Sequence, residues 1–179
     1  TLHAASFRDL HAPGLEPALR LRLVEHHRRR LEQGGADVPV AGGADRAHHV
    51  HTLIRPALAQ GKIVITDRYI DSSIAYQGVG RGLGEQTIAE ISRWATDGLL
   101  PDLTVLLDVD IAVAQQRRTG VPDRLEREAA AFHDQVRHAF LRLAEHNPQR
   151  YLVVDTARSR DDVAQAVYHR VSELLEAQQ

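Results

Sequence analysis

The sequence contains no cysteine, which excludes disulfides, cysteine metal sites and thiol catalysis. It contains no methionine, and it opens on Thr1, which leaves open whether its true start is missing. No apolar run approaches the roughly 18 residues of a membrane span, and no signal-peptide pattern is present, so a cytoplasmic protein without membrane partners is expected. Net charge is −2, which argues against nucleic acid as a partner. Lysine is nearly missing too. Lys62 is the only one. A Walker A loop needs a lysine that follows a glycine-rich turn and reaches the β- and γ-phosphates. Lys62 follows Gly61, but it precedes the apolar run at Ile63, and Pro56 stands where the first glycine of the motif belongs. The sequence has no Walker A motif.

What is present fits one globular domain: 179 residues, 43% apolar and 26% charged. The chain is organised around Gly61 to Leu83. Ile63, Val64 and Ile65 form a β-branched run that reads as a buried strand. Asp67, Arg68 and Tyr69 follow at once, at the strand end where open α/β sheets bind ligands. Taken alone, an Asp-Arg pair there reads first as a surface ion pair, because ion-pair networks often mimic sites. Ser72, Ser73, Tyr76 and Gln77, with Gly78, Gly80, Arg81 and Gly82 behind them, give the segment the polar density of a site.

Before this stretch, Glu16 to Gln33 has a partial helical stripe of Leu19, Leu23, Val24 and Leu31, ended by Gly34 and Gly35. Arg28, Arg29 and Arg30 read as its solvated face. His26, His27, His48, His49 and His51 lack the supporting carboxylate spacing of a metal site. Ala44 to Gln60 repeats Ala47, Val50, Leu53, Ile54 and Leu58 at helical spacing, with Pro56 inside it as a kink. After it, Asp71 is placed to cap a short helix.

Gly84 to Gly98 reads as a helix with Ile88, Ile91 and Trp94 on one face, Trp94 being a core or dimer contact. Leu103 to Val109 is a near-continuous apolar run, as in a parallel strand covered on both faces. Asp110 would cap a helix over Ile111 to Arg118. Leu125 to Asn147 is the clearest helix, with Phe132, Val136, Phe140 and Leu143 on its stripe and Pro148 after it. Tyr151 to Val154 is a third strand, and Ser159 with Asp162 opens a final helix as a capping pair. Strands alternating with helices make an α/β fold with a parallel sheet.

The motif DRYIDSSIAYQGVGRGLG, preceded by ADRAHHVHTLIRPALAQGKIVITDRY and followed in order by PDLTVLLDVD, RRTGVPDRLE and RYLVVD, resembles thymidylate kinase. The resemblance runs from about residue 43 to the C-terminus. It implies a three-layer sandwich of the P-loop nucleoside-monophosphate kinase type, with residues 43–179 as the kinase-like part of a single domain. Residues 1–42 are then incomplete or divergent, through truncation, a reading-frame error or true divergence. The implied reaction moves the γ-phosphoryl of ATP to dTMP with Mg²⁺, in a homodimer.

By the same resemblance Arg46 contacts thymine with Asp45 in support. Arg68 binds the dTMP phosphate. Ser72, Ser73 and Gln77 line the acceptor site, and Ser73 meets the base. Tyr76 lies under the deoxyribose and disfavours a 2′-hydroxyl, and Asp67 lies near Mg²⁺. Arg117, Arg118 and Arg124 belong to a LID over ATP. Asp155, Thr156 and Ala157 hold the adenine. Gly42 stands where the family has a ring that stacks on thymine, and Thr119 where it often has another arginine. The alternative is a kinase-derived nucleotide-binding or dimerisation module, or a fragment, that cannot transfer phosphate for want of a Walker A loop.

Overall fold

A computed structural model describes residues 22–23, 38–109 and 130–177. Its elements fall into two compact units, one within residues 6–100 and one from residue 101 onward. Among the described residues no helix is long and apolar enough to cross a membrane.

The first unit holds strand β1 (Arg22–Leu23), paired in parallel with β2 (Val64–Ile65) so that Arg22 faces Val64 and Leu23 faces Ile65. A strand at Arg22–Leu23 corrects the helix expected over Glu16 to Gln33, whose other residues lie outside the described ones. The apolar stripe there is only partial, and a strand partner outweighs a weak helical period. β2 is half-buried along its length, not fully buried as its β-branched run suggests.

Helix α1 runs Val38–His49, six residues earlier than the Ala44 start expected from its apolar stripe. A π-helical turn, Val50–Ile54, joins it to α2 (Arg55–Ala59). Pro56 supplies the reason for the turn. It has no N–H to give to the carbonyl four residues back, and the Arg55 N–H instead reaches Val50 O. The extra residue in the wide turn rotates the helix beyond it. Val50 and Ile54 stay buried, but Leu53 and Leu58, expected on the same stripe, face outward.

After β2 come α3 (Ile70–Ser73), a second π-helical segment (Ile74–Gly80) and α4 (Glu85–Ala95). The helix start at α3 is Tyr69, without a side-chain cap, and Asp71 lies inside the first turn, buried. The expected Asp71 cap is therefore not formed. Helix α4 packs on α1 through Gly43, whose backbone lies close to Ala95 and Ile91. Ile88 and Ala95 are buried with Ile70, Ile74 and Ala75. Each isoleucine among them contributes about 1.5–3 kcal/mol on full burial. Trp94 is 84% exposed, which removes the core half of its two expected roles. Past α4 the Gly98 N–H bonds back to Arg93 O at 2.9 Å with φ at +70°, a helix stop that suits glycine.

The second unit is a parallel pair, β3 (Thr104–Asp108) and β4 (Tyr151–Asp155), in register from Thr104 opposite Tyr151 to Asp108 opposite Asp155. Only Leu106 of β3 is fully buried, fewer residues than its apolar run implies. Helix α5 (Ala130–His146) buries Val136, Ala139, Phe140 and Ala144. Helix α6 (Arg160–Glu176) begins with the expected cap: Ser159 Oγ accepts from Asp162 N at 3.1 Å and donates to Asp162 Oδ2 at 2.7 Å. Asp110, the helix over Ile111 to Arg118 and residues 125–129 lie outside the described residues.

Candidate functional site

Strand β2 ends at Ile65 and delivers Asp67 and Arg68 to the surface, as the β-branched run followed by charge suggests. Arg68 is held at φ +65°, a left-handed conformation that costs a non-glycine residue on the order of 1 kcal/mol. The Thr66 hydroxyl donates to Arg68 O at 3.3 Å and helps to fix that turn. The side chain then lies across the Tyr76 ring, Cζ 4.9 Å from the ring centroid and Nη2 3.5 Å from the hydroxyl. Tyr76 comes from the π-helical segment and is 5% exposed, so its ring is a fixed floor for the guanidinium. The Asp67 carboxylate is exposed and has no hydrogen bond or ion pair among the described residues. One open carboxylate, with water and phosphate oxygens completing the shell, is a usual Mg²⁺ arrangement.

A second cluster forms around Arg46 on α1. Its Nη2 donates to Ser73 Oγ at 2.7 Å and its Nη1 to Ser92 Oγ at 3.4 Å. The Tyr69 ring lies beside it, 5.8 Å from Cζ to the centroid. Burial lowers the Arg46 pKa, opposed by the charges of Tyr69 and of buried Asp71. Tyr69 shifts the other way. Burial raises its pKa, while a hydrogen bond with Thr96 and the charges of Arg46 and Arg55 pull it down. The Tyr69 hydroxyl donates to Leu99 O at 3.2 Å. The Arg46 guanidinium is thus desolvated and, among the described residues, bonded only to neutral hydroxyls. Among the described residues two of its five N–H groups have acceptors.

Of the residues picked out from the sequence, the structure joins Arg46 to Ser73 and Arg68 to Tyr76. Ser72 and Gln77 are half-buried on the same turns. Asp45 makes no bond to Arg46, because neighbours on a helix point to different sides. Asp155, Thr156 and Ala157 sit in the second unit as a locked turn. Asp155 Oδ1 accepts from Ala157 N at 2.8 Å, and Thr156 donates to Asp108 O through both N and Oγ1, each at 2.9 Å. Arg117, Arg118 and Arg124 lie outside the described residues. Sequence reasoning missed Ser92 and the structural part of Tyr69. The signal for Ser92 is a polar residue four positions after Ile88, on the buried stripe of α4.

The family model for thymidylate kinase matches residues 43–167. A thymidylate kinase of Clavibacter michiganensis is 50% identical over 92% of this chain and 79% of its own length. That alignment covers more than residues 43–179 contain, so it reaches into the segment that precedes residue 43. A thymidylate kinase of Leifsonia xyli is 45% identical over 95% of this chain and 81% of its own. One of Halothermothrix orenii is 47% identical over 74% of this chain and 65% of its own. A match across most of the chain, together with DRY, SS and YQG on two consecutive turns after a strand, leaves one conclusion: the chain belongs to the thymidylate kinase family.

Proposed function

We propose that the first unit is the acceptor half of a dTMP kinase. In the reaction, an oxygen of the dTMP phosphate attacks the γ-phosphorus of ATP. The bond to the bridging oxygen breaks, and ADP and dTDP leave. The chain's own groups act by positioning and charge balance, without a covalent intermediate. The observation that carries this reading is the Arg46 guanidinium, desolvated, hydrogen-bonded among the described residues to the hydroxyls of Ser73 and Ser92, and with the charge of buried Asp71 near it. A neutral heterocycle rich in carbonyl oxygens suits such a donor better than a second anion does, because Asp71 already balances part of the charge.

In this reading Arg46 and Ser73 take the thymine, with Ser72 and Gln77 lining the site. Arg68, exposed above the Tyr76 ring, takes the phosphate, where a planar fork pairs with two oxygens. Tyr76 forms the floor that a 2′-hydroxyl would crowd. Asp67 would hold Mg²⁺, which when bound neutralises the phosphate charge that builds in the transition state. Arg117, Arg118 and Arg124 would serve the transferring phosphoryl group, and Asp155, Thr156 and Ala157 the adenine. A homodimer is expected on the same ground.

Titration calorimetry of the chain with dTMP tests the acceptor site, and a coupled assay of ADP release with ATP, dTMP and Mg²⁺ tests transfer. Binding with ADP release supports the whole reading. Binding without release favours the second reading, an acceptor module without transfer, which the missing Walker A motif recommends. No binding of dTMP overturns both.

A further inference from the structure

We infer that Ser92 is a positioning residue of the acceptor site: its hydroxyl holds the Arg46 guanidinium in the plane in which it meets the base. This rests on Arg46 as the base-contacting group. Ser92 lies on α4, 2% exposed, in line with the buried Ile88 and Ala95. A serine buried inside a helix ordinarily turns its hydroxyl back to the carbonyl one turn earlier. Ser92 does not. Its hydroxyl faces α1 and accepts from Arg46 Nη1 at 3.4 Å. Gly43 marks where α1 packs on Ile91 and Ala95 of α4, one turn from Arg46.

The geometry constrains the guanidinium at two separate nitrogens. Nη2 is held by Ser73 from α3, and Nη1 by Ser92 from α4. Two fixed points on one planar group leave it a single orientation, and the Tyr69 ring stands beside it as a third wall. Tyr69 is itself tied down, through its hydroxyl to Leu99 O. With one anchor only, the plane could rotate about the Nη2 bond, and its remaining donors would not point one way. Ser73 belongs by the same reading to the base contact and is disturbed when the ligand arrives. Ser92 touches no ligand in this arrangement. It is the anchor that persists, and the charge it faces is desolvated, so the bond is not replaced by water at no cost.

The test is a double-mutant cycle on the 179-residue chain, read by dTMP calorimetry and thermal midpoint. Ser92→Ala is expected to weaken dTMP about fivefold and to lower the midpoint by about 2–6 °C, the cost of leaving a desolvated Arg46 N–H without its acceptor. Ser92→Thr, which keeps the hydroxyl, is expected to stay within about twofold of the parent. In an Arg46→Ala background, Ser92→Ala is expected to have no further effect. An unchanged dTMP affinity in Ser92→Ala overturns the inference. So does a fivefold loss that persists in the Arg46→Ala background, because the serine would then act through the fold. Unchanged affinity in Arg46→Ala alone is a different failure, and overturns the acceptor-site reading beneath it.

Discussion

The Arg68 guanidinium lies over the Tyr76 ring, 4.9 Å from Cζ to the centroid, at the end of a backbone turn with φ +65°. A strained backbone and a buried aromatic floor thus combine to aim one cation outward. Arg68→Ala is expected to remove measurable dTMP binding and leave the fold intact, since the side chain is exposed and each charged hydrogen bond to phosphate is worth about 1.5–3 kcal/mol. Arg68→Gly should bind as poorly but be more stable than Arg68→Ala by about 1 kcal/mol, because glycine accepts a positive φ without strain. Urea midpoints of the two variants decide this. If the glycine variant is the less stable one, the turn is not strained in solution.

Tyr76 is expected to set sugar preference. Its ring is buried and cannot swing away from an added 2′-hydroxyl. dTMP should therefore bind at least about tenfold tighter than UMP, a discrimination within reach of steric exclusion in a closed pocket. Competition calorimetry with both nucleotides gives the ratio. Equal affinities would remove Tyr76 from this role.

Two glycines should respond in opposite ways to alanine. Gly43 is helical, and a Cβ there would meet Ala95 and Ile91 at 3.7 Å, ordinary contact. Gly43→Ala should stabilise by about 0.5–1 kcal/mol through helix propensity. A Cβ on Gly78 would stand 3.0 Å from the Glu85 Cα and 3.3 Å from Gly84 O, both backbone atoms that cannot swing aside. Gly78→Ala should destabilise by about 1–3 kcal/mol. It should also disturb the return of the chain into α4, where Gly84 N donates to Gly78 O at 3.0 Å. Thermal denaturation of both variants is the check, and a shift of the same sign in each would contradict it.

The main elements are legible in the sequence because their patterns are strong and local. The stripe Phe132, Val136, Phe140 predicts α5, and Ser159 with Asp162 predicts the start of α6. The residues proposed for the acceptor site stand out in the sequence because Arg68, Ser73 and Tyr76 fall within one short run after a strand. Pattern does not show long-range bonds. Arg46 and Ser92 are 46 residues apart, and nothing in α4 but one polar residue on an apolar stripe hints at the contact. The π-helical turn before Pro56 is foreseen only as a kink, because a proline announces a lost hydrogen bond but not which carbonyl replaces it. Trp94 falls on the other side for a plain reason: helical spacing groups residues by face, and the stripe of α4 is narrow, so a residue at its edge turns outward.

In the second unit, Arg137 on α5 grips Asp108 at the end of β3 through both oxygens, at 2.6 and 2.7 Å. The carbonyl of the same Asp108 takes two hydrogen bonds from Thr156. One residue therefore ties α5 and the turn after β4 to the strand end. The pair is mostly shielded from water, with the Arg137 and Asp108 side chains 27% and 20% exposed, so the interaction should exceed that of a surface pair. A double-mutant cycle of Asp108→Ala and Arg137→Ala is expected to give a coupling of about 1–3 kcal/mol by urea unfolding. A coupling near zero would show that the pair is solvated and that the turn is held by Thr156 alone.

Tyr69 should make the fold sensitive to alkali. Its pKa is raised above the ordinary 10.0, chiefly by burial. The unfolded chain gives up this proton near its ordinary pKa, while the folded chain keeps it to higher pH. The stabilising effect is therefore complete below about pH 10 and is lost as pH rises through the folded pKa. Arg46 adds nothing to this window, because a guanidinium stays charged across it even with its pKa lowered by burial. Tyr69→Phe keeps the ring beside Arg46 and deletes the hydroxyl. At pH 7 it should cost about 1 kcal/mol for the lost bond to Leu99 O. Between about pH 9 and about pH 11 it should lose less stability than the parent does. Urea unfolding at neutral and alkaline pH gives both quantities. Parallel losses in parent and variant would mean that another group carries the alkaline transition, and that Tyr69 titrates alike in the folded and unfolded chain.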